Sequence, residues 1–364
     1  MFLSLTFFLV FCAAAATLTA TLIPVLSRMA VRRGLVDRPQ GRKDHGRPVP
    51  PIGGLVIVPL LMILLPIVGV MPQDHAALYI ALTIVLVLGW LDDRRDLPAA
   101  LKLGAQIVIA LILTISGEAR LDHLGYLFGP SQWADLSWLA IPFSAVCFIF
   151  FMNAMNMMDG MDGLAGGAAF IMAFWLAVAA VMGADYTWAA AALLLMSLLF
   201  GFLTHNMRYP GHRRATVFLG DSGSLSLGVI IGWLGMNVTM AETPGIPPIV
   251  MAFIIMVPIF DTFALFIARV RAGRGAFSPG RDHLHHVLLG KMDANGTYLV
   301  LMALILFSGG LGLVGSVLGV PQIWLTISWC CMLGLYSIFR VVVYKTDYLI
   351  ISKTSSNKKE SRVF

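Results

Sequence analysis

About eleven times along the chain, an apolar run of roughly twenty residues ends at a charge or at a Gly/Pro-rich break. Roughly twenty residues span a hydrocarbon core of about 30 Å as a helix. The runs lie near 2–27, 52–71, 76–91, 101–117, 136–153, 163–182, 187–205, 222–238, 247–270, 297–319 and 322–344. Only 12% of the 364 residues are charged and 59% are hydrophobic, against about 25% charged for a soluble domain. An aqueous surface cannot be built from so few charges. The expected fold is therefore all-α and polytopic, with about eleven transmembrane helices. One membrane domain is expected over 1–346, followed by a basic tail over 347–364. Pro59, Pro66 and Pro258 lie inside runs, where membrane helices tolerate proline at the cost of a kink. The first run lacks a basic leader, which favours a retained helix over a cleaved signal. Cys12, Cys147, Cys330 and Cys331 all sit in apolar runs, which argues against disulfides and a cysteine metal site.

Lys and Arg collect in cytoplasmic loops, and here all but Arg120 of the 25 fall in alternate connections and the C-terminal tail. The N-terminus is thus expected outside and the C-terminus inside, in the cytoplasm. This bias and anionic lipid headgroups account for the net charge of +6 without any nucleic-acid partner.

Every unusual polar cluster falls on the cytoplasmic face so defined. The first is Asp92-Asp93-Arg94-Arg95-Asp96 at the end of an apolar run, where ionised carboxylates are costly unless solvated, paired or bound to a cation. Taken alone it is equally well a salt-bridged helix end. The second holds Asn153, Asn156, Asp159 and Asp162 among Gly160, Gly163, Gly166 and Gly167. Small residues also pack helices, but that role has no use for two aspartates. The third, Gly220-Asp221-Ser222-Gly223, has the look of an ordinary helix cap. Hard oxygen donors from separate segments are equally what a Mg²⁺ site handling phosphate requires. The fourth is Arg281-Asp282-His283-Leu284-His285-His286, preceded by Arg269, Arg271 and Arg274. Its spacing cannot place three histidines on one helical face for zinc, and its charge suits a diphosphate. A transporter would place such acids near mid-membrane rather than at helix ends.

Together Asp92-Asp93, Asn153-x-x-Asn156-x-x-Asp159-Gly-x-Asp162-Gly163, Phe218-Leu-Gly-Asp221-Ser-Gly and Ser278-Pro-Gly-Arg281-Asp-His283-Leu-His285-His286 closely resemble the polyprenyl-phosphate N-acetylhexosamine-1-phosphate transferases. The His-x-His-His form is similar to the branch that starts enterobacterial common antigen and many O-antigens. The muramyl-pentapeptide branch typically has three consecutive histidines, a run that Leu284 breaks here.

The resemblance implies UDP-N-acetylglucosamine and undecaprenyl phosphate as substrates, UMP as product, and Mg²⁺ as cofactor with Mn²⁺ as a substitute. It implies Asp221 and Asn156 as metal ligands, and Asp92, Asp93 and Lys102 as catalytic groups at the lipid phosphate. Asp159, Asp162, Arg269, His283, His285 and His286 then contact the nucleotide sugar. The loop Arg42-Lys43-Asp44-His45 would border the site. A homodimer is compatible with this reading.

Overall fold

The computed structural model describes residues 5–37, 48–212, 214–273, 275, 280 and 282–360, with side chains described as far as 343. Its helices are α1 Leu5–Arg32, α2 Gly53–Leu64, α3 Ala76–Arg95, α4 Ala99–Ile115, α5 Ala140–Met158, α6 Leu164–Met182, α7 Tyr186–Asn206, α8 Asp221–Thr239, α9 Pro248–Ile254, α10 Met256–Arg271, α11 Leu284–Leu289, α12 Ala294–Val317 and α13 Gln322–Glu360. Each of the eleven apolar runs coincides with a helix or a helix pair. Among the described residues eight helices are long and apolar enough to cross a membrane, or nine if α9 and α10 form one broken span. The two remaining apolar segments, Gly53–Val68 and Ala99–Ile115, are shorter. The protein is an all-α, multi-pass membrane protein.

Three features differ from the pattern read in the sequence. The ninth run breaks at Ile255, so that α9 and α10 meet at 75°. Pro258, in the first turn of α10, has no N–H to return to the Ile254 carbonyl, which favours an interruption there. The last helix continues to Glu360, through most of the segment read as a tail. Asp221 is the first residue of α8 rather than its cap, because Gly220 occupies the cap position and no side chain caps it.

The centre of the bundle is α8, buried at nearly every position from Ser222 to Thr239 and packed against α2, α3, α5 and α6. Lipid tails are as apolar as leucine, so helix association here relies on close packing rather than on escape from water. Small residues provide it. A Cβ on Gly54 would overlap the backbone of Gly223, and one on Gly89 would overlap the backbone of Ser222. On the opposite side, a Cβ on Gly228 would fall 2.6 Å from the Cα of Met152 in α5. The start of α8 is thereby clamped between α2 and α3.

Candidate active site

The segment leading into α8 is extended and pairs with the start of α2. Phe218 N–H donates to Pro50 O at 3.0 Å, while Gly53 N–H and Gly54 N–H donate to Phe218 O and Leu219 O at 2.9 Å. Gly220 then turns the chain with φ of 76°, a left-handed value that a side chain would strain. A Cβ there would also meet Asp93 Oδ2 at 2.7 Å. Glycine is thus required for the α3 carboxylates to reach the N-terminus of α8.

That junction gathers the acids. The backbone N–H of Asp221 donates to Asp93 Oδ1 at 3.0 Å, and the side chains of Asp92 and Asp221 lie in hydrogen-bond contact. Two carboxylates that close must share a proton or a cation. Lys102 Nζ reaches Asp92 Oδ2 at 2.7 Å, and Leu97 N–H donates to Asp92 Oδ1 at 2.8 Å. Adjacent in sequence, Asp92 faces the α4 lysine while Asp93 holds the α8 terminus. The two acids do different work.

Asn156, near the end of α5, donates from Nδ2 to Asp221 Oδ1 at 2.8 Å and to Ser224 Oγ at 2.9 Å. It presents its amino group to Asp221, so in this arrangement it orients that carboxylate. Asp162 accepts from Arg208 at 2.7 Å and from Ala215 N–H at 3.2 Å, which fastens the α5–α6 turn to the end of α7. Asp159 follows the last residue of α5. Burial, and after it the charges of Asp221, Asp93 and Asp162, push its carboxyl up to about 8.

The histidine segment closes the site from the other side. The ring of His285, 3% exposed, packs so closely on Gly160 that a Cβ there would overlap its Nε2. It also stacks with His283 and lies 4.1 Å from the His286 ring, centroid to centroid. Burial, then neighbouring His286, pushes His285 down to about 3. It is therefore neutral in the cell and offers a hydrogen bond rather than a charge. Arg269 grips Asp282 through Nε at 3.2 Å and Nη2 at 2.6 Å. Burial opposes ionisation of Asp282, but the bonds to Arg269 prevail and hold its carboxyl below the usual range.

All four clusters thus meet at one end of the bundle, with Gly160 as the contact between the acidic and histidine-bearing halves. Arg42, Lys43, Asp44, His45, Arg274, Ser278, Pro279 and Arg281 lie outside the described residues.

Among the described residues, no group of three or more His, Cys, Asp or Glu side chains is arranged to hold a metal ion. Mg²⁺ is usually held by one or two carboxylates and completes its shell with water and phosphate oxygens. The Asp92–Asp221 pair, whose side chains lie in hydrogen-bond contact, offers two such carboxylates.

Several site groups escaped the sequence reading. Asn206 accepts from Gly163 N–H and donates to Val217 O, tying the start of α6 to the strand-like lead into α8. Gln106 pairs its amide with that of Asn153. Asp261 of α10 and Arg340 of α13 lie under the histidine segment. An ionisable residue inside an apolar run is itself a signal of function, and Asp261 carried it.

Residues 75–239, which contain the acids of α3, of the α5–α6 turn and of α8, match the model of glycosyl transferase family 4. An Escherichia coli K12 protein named undecaprenyl-phosphate alpha-N-acetylglucosaminyl 1-phosphate transferase is 30% identical over 269 residues, covering 72% of this chain and 71% of its own. The chain belongs to glycosyl transferase family 4. The Haemophilus influenzae protein of the same name matches this transferase at 29% identity across 86% of this chain and 87% of its own. A Bacillus subtilis protein named probable undecaprenyl-phosphate N-acetylglucosaminyl 1-phosphate transferase is 30% identical, covering 73% of each. In this family 4 transferase the matched region stops short of Arg269 in α10 and of the histidines at the start of α11.

Proposed function

We propose that the protein transfers N-acetylglucosamine-1-phosphate from UDP-N-acetylglucosamine to undecaprenyl phosphate and releases UMP. The reaction would take place at the cytoplasmic face of the bacterial inner membrane, as the first step of an O-antigen or enterobacterial common antigen type polysaccharide. One observation carries the reading: Asp92, Asp93, Asp221 and Lys102 converge at the bundle end where Gly160 meets the His283–His286 segment. The names of the relatives supply the substrate pair.

Phosphoryl transfer depends chiefly on positioning and charge neutralisation. The second pKa of a phosphate monoester is about 6, so the lipid phosphate is already largely dianionic at neutral pH. A strong base is unnecessary. An oxygen of the lipid phosphate forms a bond to the β-phosphorus, the bond from that phosphorus to the bridging oxygen breaks, and UMP departs with the oxygen. Lys102 draws the lipid phosphate to the acids. Asp93 holds the end of α8 and Asn156 orients Asp221. Asp159 and Asp162 line the nucleotide side, with Arg269, His283, His285 and His286 at the diphosphate and sugar. Asp221 and the neighbouring acids would hold Mg²⁺ or Mn²⁺, which when bound neutralises diphosphate charge and favours departure of UMP.

The test uses purified full-length protein with radiolabelled UDP-sugars and undecaprenyl phosphate. Transfer from UDP-N-acetylglucosamine should need a divalent cation, and Asp221→Asn should lower kcat by about 100-fold or more while remaining monodisperse. Near-normal turnover and metal dependence in that variant would reduce Asp221 to an architectural residue. Direct transfer also predicts no exchange of labelled UMP into UDP-sugar unless the lipid-linked product is present. Robust exchange without lipid would instead indicate a covalent aspartyl intermediate.

A further inference from the structure

Asp261 lies in α10, two turns before Arg269, and is 8% exposed. Among the described residues, the polar groups that meet its carboxylate are donors or cations. Oδ1 accepts from Leu284 N–H at 2.9 Å and from Tyr336 O–H at 3.1 Å, and Arg340 Nε lies 3.8 Å away. Oδ2 meets His283 Nδ1 at 2.9 Å. Arg340, 2% exposed, also donates to the carbonyl of Asp282. A buried carboxylate is tolerated when it is paired and hydrogen-bonded on both oxygens, as this one is.

An ionised carboxylate only accepts, so the proton between Asp261 and His283 belongs to Nδ1. In the neutral ring this leaves Nε2 as the free acceptor, and the other tautomer is excluded. Fixing one ring nitrogen in order to define the other is how carboxylates orient functional histidines. We propose that Asp261 is a positioning residue for transfer: it sets the Nδ1–H tautomer of His283 and anchors the histidine segment to the membrane helix. The inference rests on the sugar-phosphate transfer proposed above.

A substitution of the same shape separates this role from plain packing. In Asp261→Asn one side-chain atom must accept from Leu284 N–H, which can only donate. The amide oxygen takes that place, so the NH₂ faces His283 Nδ1 and forces the proton onto Nε2. The variant keeps the volume and reverses the tautomer.

The experiment is ¹⁵N-histidine NMR of the full chain in detergent, with His283 assigned by the signal lost in His283→Gln, together with steady-state transfer kinetics. His283 should show the Nδ1–H pattern in the wild type and the Nε2–H pattern in Asp261→Asn. The kcat of Asp261→Asn should fall by about 10- to 100-fold, with the KM for lipid changed by less than about threefold. The Asp261→Asn/His283→Gln double variant should be no slower than the worse single, because both remove one function. An Nε2–H pattern in the wild type overturns the proposal even if the variant does not fold. So does a switched tautomer with kcat within about threefold of wild type, or costs that multiply in the double variant. Failure of the wild-type chain to transfer from any UDP-sugar removes the functional reading, and the NMR pattern still decides whether Asp261 sets the tautomer.

Discussion

Asp159 and His285 make stability depend on pH in opposite senses, and the windows in which they act can be separated. The folded value of Asp159, about 8, lies above its ordinary 3.8. Its contribution is therefore full below about 4 and is lost as pH rises through 8. His285 is pushed from 6.5 to about 3, so its contribution is present above 6.5 and is lost as pH falls toward 3. Between pH 6.5 and 8 only Asp159 of the two is still changing. The Tm of metal-free protein in detergent should fall across that window, by on the order of a few degrees, and Asp159→Asn should reduce the fall. An unchanged slope in the variant would place the titration elsewhere. At this scale the sequence was most legible where charge is rare: Asp92, Asp93, Asp159 and Asp221 stand out against apolar surroundings. It was least legible where a role depends on a distant partner. Asn206 looks like any helix-end amide until Gly163 and Val217 are beside it.

Among the elements, the helix pattern could be read almost completely because apolar runs of about twenty residues admit few other structures. The bend at Ile255 could not, because Pro258 permits a kink without determining its angle. The tight junction of α2, α3 and α8 was also hidden, since a helical glycine looks the same whether it faces lipid or another backbone. Gly89 and Gly104 show the difference. Gly89 lies against the backbone of Ser222, whereas a Cβ on Gly104 would meet nothing within 4 Å. Glycine to alanine in a helix ordinarily stabilises by up to about 1 kcal/mol. Gly104→Ala should therefore be neutral or slightly stabilising, while Gly89→Ala should lower folded yield and displace Asp221, costing activity by about 10-fold or more. Size-exclusion recovery and transfer assays would check this, and equal behaviour of the two variants would refute the clamp.

At the level of the whole molecule, Lys and Arg mark the end of the bundle where the acids gather. The positive-inside bias predicts that a reporter fused after Phe364 reads as cytoplasmic. Activity of a periplasmic reporter at that position would remove the common face assigned to the motifs. Another consequence concerns synthesis. Of the candidate single-helix spans, α8 is the least apolar, and nearly all of its residues are buried in protein. A segment so poor in lipid-facing character enters the bilayer weakly by itself and needs company already there. The helices it packs against most extensively, α2, α3, α5 and α6, all precede it in the chain, so the ribosome delivers α8 into a cradle already made. Nascent chains stalled beyond Thr239 should insert α8 efficiently, and the same helix in an isolated host protein should insert poorly, as a glycosylation-site mapping assay would read. The most deeply enclosed helix of the enzyme depends for its place on the order in which the chain is made.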